Sequence, residues 1–191
     1  MIDSKASKIS LMQQNKLEFL LSCVNQTKDL NGDVVEVGVY KGGSARVLCQ
    51  NLKESNIYLI DTFEGLVDAC EYDNVHTNGA FNETSIDIVK QTIFPYNNYT
   101  IIKSKWPNDD NKVLDSKTFK FVHLDVDMYV AYKENLEYFY PRLEKDGLIL
   151  CDDYGCVDCL GAKKAIDEFV ESNNLKSKFS LGAGTQCLIK K

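Results

Sequence analysis

One segment of the chain, residues 121–155, reads as a strand, a helix and a second strand. Carboxylates follow both strands: Asp125 and Asp127 come after the first, and Asp152 and Asp153 come after the second. A strand–helix–strand unit is typical of parallel pairing, in which both strands end at the same edge of the sheet. We therefore expect the four carboxylates to lie together at the carboxyl edge, where open α/β sheets bind ligands.

Crowded carboxylates repel one another, and this repulsion raises their pKa values. A hard divalent cation such as Mg²⁺ relieves the repulsion, and oxygen atoms are the ligands that it prefers. The segment therefore predicts a metal site on a doubly wound sheet.

The same alternation of strands and helices extends over most of the chain. It predicts an α/β fold of the Rossmann-like, doubly wound type, with a mostly parallel, seven-stranded sheet and a C-terminal antiparallel hairpin. We expect one domain over residues 1–191, with a leading helix within residues 1–30 and a polar, lid-like loop at 64–82. The predicted strands are 33–39, 57–63, 99–104, 119–126 and 147–153, followed by a hairpin around 182–184, and the predicted helices are 10–28, 42–53, 84–94, 129–143 and 161–171.

The composition is that of an ordinary globular protein, with 44% hydrophobic and 26% charged residues. The net charge of -6, without a block of Lys or Arg, argues against a nucleic-acid partner. No stretch approaches the length of a membrane span, and the N-terminus lacks the apolar core of an export signal. We therefore expect a cytoplasmic protein that acts on a small molecule, with no membrane partner.

Seven cysteines at irregular spacing are typical of reduced thiols in a cytoplasm. Cys156 and Cys159 form a CxxC beside Cys151, and Cys187 is a candidate fourth ligand for a zinc site. One CxxC without a second pair is a weak metal signal. The competing interpretation is that these are small, half-buried side chains between a strand end and a helix start.

The turn after the first predicted strand is rich in glycine and follows an acid, Glu36. Gly38 and Gly42 allow a sharp turn and a close approach to a ligand, and the next helix offers free N–H groups. An acid two residues before the first glycine suits a cationic ligand, such as an amino group or a sulfonium, and Asp61 at the end of the second strand suits ribose hydroxyls. These features predict a nucleotide-type site, although Glu36 could also be an ion-paired strand acid and Gly38 a packing glycine.

Several stretches carry a resemblance to a known family. VVEVGVYKGGSA looks like motif I of the class I S-adenosylmethionine methyltransferases, with spacing similar to the catechol O-methyltransferase type. IDTFEGL, HLDVDMY, FYPRLEKDGLILCDDYG and KKAIDEF are closely similar to the macrocin O-methyltransferase family, whose members methylate sugar hydroxyls on macrolide antibiotics. The resemblance covers residues 33–169. It implies an O-methyltransferase that acts on a hydroxyl of a sugar or glycosylated small molecule.

The resemblance also implies the site residues. S-adenosylmethionine would be cradled by the turn after the first strand, its ribose would meet Asp61, and the exit of the third strand would lie near the adenine. The implied donor-site residues are Glu36, Gly38, Tyr40, Gly42, Ser44, Asp61, Ser104 and Trp106. The resemblance implies that Asp125, Asp152 and Asp153 hold Mg²⁺.

A base must remove the proton of the acceptor hydroxyl. Catechol-type enzymes use a Lys three residues after the first metal aspartate, and this chain has Met128 there. The candidates are Asp127, His76 in the lid-like loop, and Asp125 itself, while Asp127 could instead cap the following helix. His123 is interpreted as a core histidine rather than a site residue.

Three interpretations stay open: a metal-dependent O-methyltransferase, a metal-independent methyltransferase whose aspartates only orient the substrate, and a non-catalytic domain that binds S-adenosylmethionine. Tyr132 and Tyr140 are expected to pack on their helix. The leading amphipathic helix is compatible with a homodimer.

Overall fold

The structure is a computed structural model that describes residues 2–107 and 112–191. Its strands are β1 (Asp33–Val37), β2 (Ile57–Asp61), β3 (Tyr99–Lys103), β4 (Phe119–Leu124), β5 (Leu143–Cys151), β6 (Phe179–Leu181) and β7 (Cys187–Lys190). They form one sheet in the order β3-β2-β1-β4-β5-β7-β6. The five strands from β3 to β5 are parallel, and β7 runs antiparallel to both of its neighbours. The predicted α/β fold with a C-terminal antiparallel hairpin is therefore confirmed.

Two details of the sheet differ from the prediction. β5 begins at Leu143, four residues before the predicted start, because backbone pairing with β4 extends to Phe119 across an irregularity in register. The second strand of the hairpin, β7, inserts between β5 and β6, so the first strand of the hairpin forms the edge. The strand order reverses between β1 and β4, which makes this the topological switch point of the sheet.

The helices are α1 (Ser4–Ile9), α2 (Gln14–Thr27), α3 (Gly43–Asn51), α4 (Ile86–Ile93), α5 (Tyr129–Phe139) and α6 (Leu160–Ser172). The predicted leading helix is shorter than expected, and α1, which was not predicted, precedes it. Asp3 caps α1 by accepting a hydrogen bond from the Ala6 backbone N–H at 2.9 Å, and its carboxylate also binds the buried Arg46 of α3. α5 ends before a 3₁₀ turn, Tyr140–Arg142, that contains Pro141. None of the helices in the described part of the chain has the length and apolar character that crossing a bilayer requires.

The sheet is covered on both sides, so its central strands β1 and β4 are buried on both faces. Apolar residues of α5 and α6 pack on one face, and those of α1 to α4 pack on the other. Successive residues of a strand point to opposite faces. In β1, Val35 and Val37 join the first core, and Val34 joins the second. This alternation places Glu36 on the side of α2 and α3.

Candidate active site

A cavity of about 350 Å³ lies at the carboxyl edge of the sheet, where the ends of β1 and β4 meet. It brings together most of the predicted site residues from six separate parts of the chain. Those that line it are Gly38, Tyr40, Ser44, Asp61, His76, Ser104, Trp106, Asp125, Asp127, Asp152 and Asp153. Glu36 and Gly42 are not among the lining residues.

Gly38 is where β1 meets the exit of β4. Its φ of +85° favours glycine, and a Cβ at this position would lie 1.8 Å from the carbonyl oxygen of Asp125. The adjoining backbone is tied to β4, because the Asp125 N–H donates to the Val37 carbonyl at 3.0 Å. The geometry therefore accounts for Gly38 by packing at the switch point, one of the two roles that the sequence left open.

Asp61 holds the glycine-rich turn. Its Oδ2 accepts hydrogen bonds from the backbone N–H groups of Val39 at 2.8 Å and Tyr40 at 2.9 Å, and its Oδ1 accepts one from Phe63 at 2.7 Å. A carboxylate has about four lone-pair sites, so these bonds leave acceptor capacity that faces the cavity. The ribose contact of Asp61 stays a prediction, and the turn depends on the same carboxylate.

Glu36 is fully buried and does not reach the cavity, contrary to the predicted contact with the donor. Register pairs it with His123 on β4, and its Oε1 lies 2.9 Å from His123 Nδ1. His123 Nε2 lies 3.9 Å from Asp152 Oδ1, so the three side chains form a buried row beneath the site. Burial lowers the pKa of His123, but its contacts with Asp152 and Glu36 outweigh burial and raise that pKa to about 10. The expected core histidine is therefore buried between two acids.

The aspartates at the strand ends differ in their partners. Asp152 accepts hydrogen bonds from Gln186 Nε2 at 2.8 Å and from Lys16 Nζ. Burial raises the pKa of Asp152, but His123 and Lys16 outweigh it, and the pKa is lowered. The pKa of Asp125 is raised well above its ordinary value by burial and by repulsion from Asp152 and Asp153. Asp125 and Asp152, two neighbouring carboxyls of one cluster, therefore have pKa values shifted in opposite directions.

Two groups of side chains at this edge bring possible metal-ligating atoms close together. The first consists of His123, Asp125 and Asp152, and the second of His76, Asp127 and Cys159. His76 Nε2 and Cys159 Sγ lie 4.0 Å and 3.4 Å from Asp127 Oδ1. Burial raises the pKa of Asp127, and the nearby His76 opposes this. Asp127 does not cap α5: the Tyr129 N–H instead donates to Asp73 of the lid-like loop at 2.9 Å. The loop thus brings His76 to Asp127, two residues that were predicted as candidate bases.

The lid-like loop crosses the carboxyl edge of the sheet, and hydrogen bonds attach it to the segment that leads into α6. Asn74 donates to the Val157 carbonyl at 2.8 Å and accepts from the Leu160 N–H at 3.0 Å, at the start of α6. The His76 side chain is only 20% exposed. The loop forms one wall of the cavity.

The candidate zinc site does not assemble. Cys187 lies opposite Cys151 across β7 and β5, whereas Cys159 lies with His76 and Asp127. Within residues 2–107 and 112–191, all the cysteines are free thiols, and neither group of close ligand atoms contains two of them.

The family model described as Macrocin-O-methyltransferase (TylF) matches residues 3–181. The chain belongs to the macrocin O-methyltransferase family. The resemblance noted from the sequence is thereby confirmed, and the chain is an S-adenosylmethionine-dependent O-methyltransferase.

Relatives of this macrocin O-methyltransferase family member are distant in sequence. Demethyldecarbamoylnovobiocin O-methyltransferase of Streptomyces niveus is 23% identical, over 87% of this chain and 70% of its own length. Mycinamicin III 3''-O-methyltransferase of Micromonospora griseorubida is also 23% identical, over 88% of this chain and 73% of its own length. The solved structure of the O-methyltransferase NovP has a TM-score of 0.82 at 19% identity, and the match covers 95% of this chain and 81% of that one. The likeness to NovP shows a shared fold.

Two residues at the site of this family member were not predicted. Tyr132 of α5 is fully buried, and its hydroxyl lies 2.8 Å from Asp153 Oδ2 and 2.9 Å from the Leu124 carbonyl. The backbone N–H groups of Asp152 and Asp153 donate to the same hydroxyl at 3.1 Å and 3.3 Å. Lys16 reaches Asp152 from α2, across 136 residues of sequence. The sequence had indicated only that Tyr132 packs on its helix.

Replacing Tyr132 by phenylalanine is expected to lower the free energy of unfolding by about 1–3 kcal/mol, because the buried Asp153 N–H and carboxylate lose this hydroxyl, while the Asp152 N–H keeps the Leu124 carbonyl as an acceptor at 2.9 Å. Chemical denaturation checks this value. Tyr140→Phe is the matched control, since its half-buried ring packs on Phe169. Equal stability of the two variants would contradict the role assigned to the Tyr132 hydroxyl.

Proposed function

We propose that this enzyme transfers the methyl group of S-adenosylmethionine to a hydroxyl of a sugar or glycoside, with the aid of Mg²⁺. The observation that carries this proposal is one cavity that joins the glycine-rich turn and the start of α3 to the carboxylates of β4 and β5. The names of three relatives support the acceptor class, since they specify demethyldecarbamoylnovobiocin, mycinamicin III and, for a third relative, a rhamnosyl tetracenomycin. We further propose that residues 1–191 form one methyltransferase domain with residues 64–82 as its lid.

The predicted metal ligands suit a hard cation. Asp125, Asp152 and Asp153 offer oxygen atoms only, which suits Mg²⁺. Burial, and repulsion from the neighbouring aspartates, raise the pKa values of Asp125 and Asp153, and a bound divalent cation would relieve that repulsion. Asp153 is oriented by the Tyr132 hydroxyl and by the Asp127 N–H at 3.1 Å. Bound there, Mg²⁺ would lower the pKa of the acceptor hydroxyl and stabilise the developing alkoxide.

Proton removal is assigned to the pair formed by Asp127 and His76. Asp127 lines the cavity between the metal aspartates and the lid, and His76 lies beside it at 4.0 Å. A buried carboxylate beside an imidazole can take the proton from the substrate hydroxyl, and a hydrogen bond to the imidazole then stabilises the protonated carboxyl. Transfer of the methyl group from a sulfonium leaves a neutral thioether, so exclusion of water by the closed lid favours the reaction.

A labelled methyl donor and a panel of sugar nucleotides and glycosides test the function. We expect label in at least one glycoside or sugar, and loss of turnover after exhaustive EDTA treatment, with recovery on addition of Mg²⁺. Turnover that survives EDTA would support the metal-independent alternative. Calorimetric binding of the donor without transfer to any member of the panel would favour the non-catalytic alternative.

Asp61→Ala is expected to weaken binding of S-adenosylmethionine by about 1–3 kcal/mol, since charge-assisted hydrogen bonds to the turn and to the donor are lost. Isothermal titration calorimetry measures this affinity. Glu64→Ala is the control, because it removes an exposed carboxylate only three residues further along the chain. Unchanged donor affinity in Asp61→Ala would contradict this placement of the donor.

His76→Ala is expected to lower turnover about 100-fold, the usual scale for loss of a general base. The melting temperature should change little, because His76 belongs to the lid-like loop and to neither of the two apolar cores. Thr77→Ala, an exposed neighbour, serves as the control. A lower melting temperature with unaltered turnover would instead place His76 in the framework and leave Asp127 or Asp125 as the base.

A further inference from the structure

Lys16 belongs to α2, near the start of the chain, yet its side chain reaches the proposed metal site at the carboxyl edge of the sheet. Its side chain is 13% exposed, and Nζ is bonded to Asp152 Oδ2. The other oxygen of Asp152 accepts from Gln186. Both oxygens of a predicted metal ligand are therefore engaged by side chains of the protein.

The stem of Lys16 is held in place by the C-terminal hairpin. A Cβ built at Gly184 would lie 3.2 Å from Lys16 Cγ and 3.3 Å from Cδ, so this turn packs closely along the stem. Gln186, which binds the same carboxylate, belongs to the same hairpin. α2 and the hairpin together aim the ammonium group at Asp152.

A protein cation and a divalent cation compete when they use the same carboxylate. The charge of Lys16 acts on Asp152, and also on Asp125 and Asp153 at longer range. A nearby unit charge in a partly buried site changes the binding of another cation by at least an order of magnitude. The position of Lys16 therefore bears directly on how tightly Mg²⁺ binds.

We propose that Lys16 is a built-in counter-ion of the metal site, which holds Asp152 in the metal-free enzyme and must release it for a divalent cation to bind. This inference rests on the proposed metal site. It makes Lys16 a positioning residue that weakens metal affinity and links metal binding to α2.

Mn²⁺ binding to the purified enzyme, followed by the paramagnetic resonance of the free ion, tests the proposal without a need for the acceptor. Lys16→Met should bind Mn²⁺ at least about tenfold more tightly than the wild type. Lys16→Arg, which keeps the charge, and Lys28→Met, which removes an exposed charge from the end of the same helix, should match the wild type. Tighter binding by Lys16→Met, including binding where the wild type shows none, supports the proposal.

Equal or weaker binding by folded Lys16→Met, beside measurable binding by the wild type, would overturn the role of Lys16 and leave the metal site intact. No binding by either protein would overturn both. A second measurement on the wild type covers a variant that fails to fold: reductive methylation followed by mass spectrometry should modify Lys16 faster in Mg²⁺ than in EDTA. An unchanged rate at Lys16 in the presence of bound metal would also overturn the proposal.

Discussion

Gly38→Ala is expected to destabilise the folded protein by more than about 4 kcal/mol, which places it among the most damaging single substitutions. The added Cβ would lie 1.8 Å from a backbone oxygen, that of Asp125, so a rotamer change cannot relieve the clash. The two strands that would have to separate, β1 and β4, are neighbours at the centre of the sheet. Chemical denaturation, or the soluble yield if the variant does not fold, measures the effect.

Gly79→Ala is a matched control for this substitution. Gly79 has a φ of +87°, close to the +85° of Gly38, but among the described residues no atom lies within 4 Å of its built Cβ. Its alanine variant should therefore lose only about 1–2 kcal/mol through backbone strain. The difference between the two variants measures the steric contact. Similar losses in both would mean that the switch point tolerates a side chain.

Asp125→Asn is expected to reduce turnover by at least about 1,000-fold, because a metal ligand and one charge of the site are lost together. The same change should stabilise the metal-free protein. Burial and repulsion raise the pKa of Asp125 above its ordinary value of 3.8, so the folded state binds more protons than the unfolded chain above that value. The free energy of unfolding therefore falls as pH rises through this range, and asparagine removes this contribution.

Three measurements check the prediction for Asp125. Steady-state kinetics gives the loss of turnover, and melting curves against pH in EDTA should be flatter for the variant. Mg²⁺ should raise the melting temperature of the wild type and have little effect on the variant. Asp158→Asn is the control, since it removes an exposed carboxylate from the loop after β5. An active variant, or one that Mg²⁺ stabilises as strongly as the wild type, would remove Asp125 from the metal site.

Local sequence patterns were sufficient to predict the fold class. Strand and helix periods, the glycine-rich turn and carboxylates directly after strands depend on residues a few positions apart. These features correctly predicted the parallel sheet, the terminal hairpin and the presence of Asp125, Asp152 and Asp153 at one edge. The family followed from the same short motifs.

The start of the chain was harder to predict. α1 depends on the cap and ion pair of Asp3, whose partner Arg46 lies on another helix. Periodicity within α1 and α2 does not show that the backbone is extended at Ser10, between them.

The sequence by itself determined which elements form and which residues stand at their ends, because these depend on local spacing. Only the tertiary structure decided how those residues pair. Strand register brings Glu36 to His123 and away from the cavity, and the packing of α2 on the sheet brings Lys16 to Asp152. Such contacts join residues about 90 to 140 positions apart, and strand order and side-chain direction create them. For that reason the charge balance of the site, unlike its list of carboxylates, could be read only from the fold.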